Sequence, residues 1–145
     1  MRQRQGVTII ELLLVISLIA IIGATMVPVG SSFLIRNHLK NKLIETVSVL
    51  QTARTNAMVG KEHSDWGVLL TNSQIILFKG SSYVSRDSEF DQIFNIPQSI
   101  TASQQEVVFR RVSGQPDTEA VIVLTAGGER SRQINITPLG VLEVN

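Results

Sequence analysis

VTIIELLLVISLIAIIGATMVPVG, residues 7–30, holds a single ionisable side chain, Glu11, and is otherwise apolar, small or hydroxylated. A helix rises about 1.5 Å per residue and a bilayer core is about 30 Å thick, so about 20 apolar residues cross it. Residues 7–27 reach that length, and the stretch is expected to span a membrane. The flank MRQRQG before it carries Arg2, Arg4 and the starting amine. By the positive-inside rule the N-terminus then lies in the cytoplasm and the C-terminal body outside.

Beyond Gly30 the apolar residues turn from continuous to periodic. Leu39, Leu43, Val47, Leu50 and Ala57 recur at helical intervals, with Lys40, Asn41, Glu45, Ser48, Gln51, Thr52 and Thr55 elsewhere, the pattern of an amphipathic helix over 31–59. Gly60 is placed to stop it. Gly23, Pro28 and Gly30 weaken the joint between the two helical parts, since proline removes a backbone donor and bends a helix. From Trp66 onward the runs WGVLL, QIILF, QIFNI, EVVFRRV, AVIVL, QINIT and GVLEV alternate with polar or glycine-containing breaks and read as strands. TNS and TAGGERS read as hairpin connections, IPQSI and SGQPDTE as loops. The expected fold is α+β: a long N-terminal helix, transmembrane in its first half and amphipathic in its second, packed on a mostly antiparallel β-sheet of about five to seven strands.

Composition narrows the function. A chain of 145 residues has room for one domain and an appendage. Lys plus Arg number 13 against 12 Asp plus Glu, so net charge points to neither nucleic acid nor an acidic partner. With no cysteine, a disulfide framework, a thiolate metal site and a cysteine nucleophile are excluded together.

Three readings compete for the apolar segment. A secretory signal peptide has an apolar centre of roughly 7 to 15 residues and a small-x-small cleavage site. Here the run is longer, and the best cut, after Ala24, has Ile22 at the upstream specificity position. A plain signal anchor explains length and orientation, but a carboxylate in hydrocarbon costs about 2 to 3 kcal/mol. Glu11 would then have to snorkel near the helix start, where the helix dipole favours an anion. The third reading takes Gly6, Glu11 and the flank together. GVTIIELLLVISLIAIIGA, behind a short basic leader ending in Gly6, closely resembles the N-terminal signature of type IV pilins and type II secretion pseudopilins. That resemblance implies cleavage after Gly6 by a prepilin peptidase, N-methylation of the new first residue Val7, and retention of the apolar helix as the polymerisation stalk, bent at Pro28. The family usually has phenylalanine where this chain has Val7. In a filament the Glu11 carboxylate of one subunit would pair with the Val7 amine of a neighbour, so that two groups costly alone in an apolar setting offset each other and fix the register.

Within the amphipathic helix LQTARTNAM resembles the ARxxA-type segment of the GspH/FimT group of minor pilins, and Arg54 in it is read as a solvated residue. WGVLLTNSQIILFKGSSY, EVVFRRVSGQPD and QINITPLGVLEV follow the order of segments in GspH/FimT-type domains.

No catalytic constellation is legible. The two histidines are His38 and His63, and His63, Ser64 and Asp65 are consecutive loop residues, which point in different directions rather than converging as a triad. Metal-ligand spacing is absent, and Gly127-Gly128 lacks the strand-glycine-helix context of a phosphate loop and reads as a turn. A DNA-contact patch would have to be assembled from Arg110, Arg111, Arg130 and Arg132, with salt-dependent affinity. Charge balance argues against nucleic acid as a partner.

The expected organisation is a prepilin leader at 1–6, a transmembrane and polymerisation helix at 7–29, an amphipathic helix at 30–60 and a β-rich GspH/FimT-like domain at 61–145. The chain is read as a non-enzymatic subunit without cofactor or metal. It would be anchored in the cytoplasmic (inner) membrane and then assembled into a type IV pilus or secretion pseudopilus. Its partners would be the prepilin peptidase, other pilins or pseudopilins, and the inner-membrane assembly platform. The competing class is a signal-anchored extracytoplasmic binding module or enzyme that keeps an uncut N-terminus.

Overall fold

A computed structural model describes residues 7–128 and 130–145, with side chains outside 25–36. The expected cleavage point at Gly6 lies outside these residues, as does the Pro28 side chain. Helix α1 is Ile9–Met58, and the chain divides into two compact units, Met1–Leu34 and Ile35–Asn145.

In the first unit the helix begins behind Thr8, and its large apolar side chains from Ile9 to Ile22 are exposed on every side. Among the described residues no helix is long and apolar enough to cross a membrane. The described side chains of this segment stop at Ala24, short of the limit at 29 that the sequence sets for the span.

In the second unit the helix contributes Leu39, Leu43, Thr46, Leu50, Ala53 and Ala57 to the core. Their alternating four- and three-residue spacing draws one stripe along the helix. Thr46, not Val47, occupies the middle of that stripe. Its hydroxyl donates to the Lys42 carbonyl at 2.7 Å, which satisfies the polar group internally and leaves its methyl to pack. Gly60 ends the helix at φ 64, a left-handed conformation that glycine adopts without strain, with its N–H donating to the Ala57 carbonyl. A short 3-10 turn, Lys61–His63, follows.

Eight strands follow among the described residues: β1 (Trp66–Leu70), β2 (Gln74–Lys79), β3 (Asp87–Asn95), β4 (Ile100–Ala102), β5 (Gln105–Phe109), β6 (Ala120–Ala126), β7 (Arg130–Ile136) and β8 (Leu142–Val144). They form two four-stranded antiparallel sheets, ordered β3-β2-β1-β5 and β4-β6-β7-β8, rather than the single sheet expected. The chain crosses to the second sheet for β4, returns to the first for β5, and crosses again over the break SGQPDTE, where Phe109 and Pro116 form an isolated bridge. Strand β4 is too short to show alternation, and it lies across the end of the stretch that reads as a loop. Strand β3 starts earlier than QIFNI and opposes β2 across a bulge between Leu77 and Lys79.

Both sheets share one core with the helix. Trp66, Val68, Leu70, Ile75, Leu77, Val107 and Phe109 come from the first, and Ile100, Ile122, Leu124, Ile134 and Ile136 from the second. Lys42 ties the helix to the sheet, donating to the Asn95 carbonyl at 2.8 Å and pairing with Glu45. On the outer face of the first sheet, the buried Phe78 ring lies directly over Gly67. Tyr83 meets Phe78 edge-on, its N–H donates to Glu106 Oε1 at 2.7 Å, and the Arg86 guanidinium stacks on its ring. Arg86 in turn donates to Asp91 at 2.8 Å, and this hydrogen bond holds its pKa above the ordinary value.

Candidate functional site

The start of α1 is built by three residues. The Thr8 hydroxyl oxygen accepts the Glu11 N–H at 3.3 Å while the Thr8 carbonyl accepts from Leu12 at 3.2 Å, which makes Thr8 the N-cap and puts Glu11 in the third helical position. T-x-x-E is the sequence form of a capping box, a signal that the reading of Glu11 alone missed. The carboxylate sits in the first turn, where the helix dipole favours it. Val7 precedes the cap and is 70% exposed. One carboxylate thus stands at the start of an apolar surface, and no ion-pair partner for it is found among the described residues of its unit.

In the second unit, His63 and Asp65 of the consecutive loop residues serve as fasteners. Asp65 Oδ1 accepts the Arg111 backbone N–H at 2.7 Å, and the His63 carbonyl accepts from the Arg111 guanidinium at 3.1 Å. The neighbouring Val112 donates its N–H to the Ala57 carbonyl, and this network holds Val112 at φ 71, a strained value for a β-branched residue. Among the described residues, no group of three His, Asp or Glu is placed to hold a metal ion.

The two arginine pairs do not converge. Arg110 donates to Asp117 at 2.5 Å, and that hydrogen bond, with the carboxylate charge, holds its guanidinium above the ordinary pKa. Arg110 and Arg111 lie beside Ala57, whereas Arg130 and Arg132 line a groove with Asn37 and Lys40. From Lys40 to Ala57 the helix rises roughly 25 Å.

Arg54 is not the solvated residue its sequence context suggests. It is half-buried, and its guanidinium donates to the Leu139 carbonyl at 3.0 Å. Gly140, at φ 75, packs against it so closely that a Cβ there would lie 3.0 Å from Arg54 Nε and 2.6 Å from the Gly114 carbonyl oxygen. The two glycines, one in each loop, are the signal that would have marked this junction. Arg54→Ala is expected to lower stability by about 1 to 2 kcal/mol, since a charged hydrogen bond and its aliphatic packing are both lost. The check is a urea unfolding midpoint, and an unchanged midpoint removes the junction's role.

No family model matches the chain, and no solved structure matches it. A curated relative does: the type IV major fimbrial protein FimA of Dichelobacter nodosus is 27% identical over 88 residues, covering 61% of this chain and 55% of that protein. The match therefore spans about half of the relative's length. The similarity supports the type IV pilin family for this chain, in keeping with an α+β body behind an exposed apolar helix.

Proposed function

We propose that the chain is a minor pilin or pseudopilin of the GspH/FimT type, a non-enzymatic subunit made as a membrane-anchored precursor, cleaved after Gly6 and assembled into a type IV pilus or secretion pseudopilus. The observation that carries this reading is the first unit of the chain. Its helix exposes Ile9, Leu13, Ile16, Ile19 and Ile22 together with a capped carboxylate at Glu11. Such a surface is stable in lipid or against other apolar helices and not in water. Removal of the leader would give Val7 a free amine within a turn of Glu11, close enough to the helix start for a neighbour's carboxylate to reach it. On this reading Gly23, Pro28 and Gly30 would weaken the helix where stalk meets body. Prepilin peptidase, other pilins and an inner-membrane assembly platform are the partners this pathway requires. Similarity to a fimbrial protein supports the pilin role. The order of the C-terminal segments and LQTARTNAM support the GspH/FimT type.

The test is the N-terminal sequence and intact mass of the membrane-extracted chain, made with and without a prepilin peptidase. A terminus at Val7 that depends on the peptidase is the expected result, with or without a methyl group. A terminus near Thr25 would mean a secreted domain. An uncut chain in the presence of active peptidase would mean a signal-anchored module.

A further inference from the structure

Opposite the core stripe of α1, the exposed residues Asn41, Ile44, Ser48, Gln51, Thr52 and Thr55 recur at three- and four-residue steps and form one strip roughly 21 Å long. No charged side chain among the described residues lies within it, although the outward face of a surface helix is ordinarily where charges stand. Glu45, at its border, is paired with Lys42. Ile44, 58% exposed, and Ser48 make a ridge along the middle of the strip. On one side of the ridge runs a groove of about 360 Å³ walled by Thr52, Leu77 and Phe94, and on the other a groove of about 270 Å³ walled by Val47, Gln51 and Val144. The Thr52 hydroxyl already donates to the Ser48 carbonyl at 2.8 Å, so this group can leave water without losing its bond.

We propose that this strip is the contact surface for a second copy of the chain, the two helices meeting face to face about a two-fold axis near Ser48. In a two-fold contact each patch meets itself, so a ridge needs a groove beside it, and the ridge of Ile44 and Ser48 has one on either side. The chemistry is self-complementary as well. Asn41, Ser48 and Gln51 each carry a donor and an acceptor, so each can pair with an identical group, which a lone cation or carboxylate cannot. A neutral strip also meets its own copy without repulsion. Ile44 is the apolar anchor, entering the second copy's larger groove over Leu77 and Phe94. The contact uses residues of the second unit alone and closes as a pair, so its failure would leave the cleavage and assembly proposed above untouched.

The chain has no cysteine, so a single introduced one reports on its own position. Full-length Ser48→Cys is compared with Val121→Cys, an exposed position on the outer face of the second sheet. Both are oxidised with copper–phenanthroline in detergent micelles and run on non-reducing gels. The disulfide dimer of Ser48→Cys is expected to form at least about tenfold faster, since a standing contact turns a collision into an intramolecular step. Adding Ile44→Lys or, separately, Gln51→Lys puts like charges on both copies and should bring the rate down to that of Val121→Cys. Equal rates at the two cysteine positions overturn the proposal. So does a fast Ser48→Cys rate that survives both substitutions, which would mean that the apolar stalks and not this strip bring the chains together.

Discussion

Glu11→Ala is expected to leave the chain in the membrane fraction and to lower its recovery in filaments sheared from the cell surface at least about tenfold. In the anchored precursor the substitution removes a charge from an apolar helix, which favours insertion by about 2 to 3 kcal/mol. On the proposed assembly it would leave the neighbour's Val7 amine without its counter-ion in an apolar setting, and breaking such a pair costs about 3 to 5 kcal/mol. Each 1.4 kcal/mol is about tenfold in an equilibrium, so even half that loss depletes the filament pool strongly. Glu11→Gln separates charge from hydrogen bonding and should be nearly as defective. Thr8→Ala should do less: it removes the cap that accepts the Glu11 N–H, worth about 1 kcal/mol, while keeping the carboxylate. Membrane and sheared fractions compared by immunoblot decide the matter. Unchanged filament recovery for Glu11→Ala would make the residue a helix-start anion and nothing more.

Gly67→Val is the most damaging single change expected in the body. A Cβ at Gly67 would lie 2.3 Å from Phe78 Cζ and under 3 Å from both of its neighbouring ring carbons. The ring has no room to retreat, because it is fully buried and Tyr83 closes its far side, held by Glu106 and Arg86. Overpacking of this kind costs about 1 to 3 kcal/mol and more where nothing yields, so a loss of about 3 kcal/mol is expected. For a body of this size the melting temperature should fall by roughly 10 to 20 °C. Pairing the change with Phe78→Leu should recover part of the loss, and thermal unfolding of the four combinations measures the coupling. A melting temperature within a degree or two of the parent's would show that the ring is free to move.

The sequence made the helix, its stop and the strand order legible, because each leaves a local signature: the stripe from Leu39 to Ala57, the left-handed Gly60, the runs from WGVLL to GVLEV. What it hid was non-local. Whether seven runs make one sheet or two depends on where the chain crosses over, and residues 110–119 do not announce that. Thr46 and Val47 look alike as stripe members until the hydroxyl's partner is known. Arg54 looks like any solvent-facing arginine of a helix, since its partner carbonyl at Leu139 is 85 positions away. The candidate site at Glu11 was legible as a lone charge, while its cap at Thr8, though written as T-x-x-E, was passed over because Glu11 was read by its charge alone. The grooves beside Ile44 were not, because Phe94 and Val144, their outer walls, come from strands that only the fold brings beside the helix.

The edges of the two sheets bear on how such bodies tolerate crowding. Strand β3, long and unpaired on its outer side, is interrupted by the bulge opposite Leu77 and Lys79 and carries Asp87, Glu89 and Asp91. Strand β8 ends after three residues. Subunits strung along a polymer meet at millimolar local concentrations, where any flat, neutral edge would zip onto the next copy and seed insoluble aggregates. On the proposed assembly, the bulge and the charged pairs Lys79–Asp87 and Arg86–Asp91 along the β3 edge, and the short ladder at β8, would oppose such pairing at those two edges. Stalks could then pack tightly in the proposed filament while those edges stay apart.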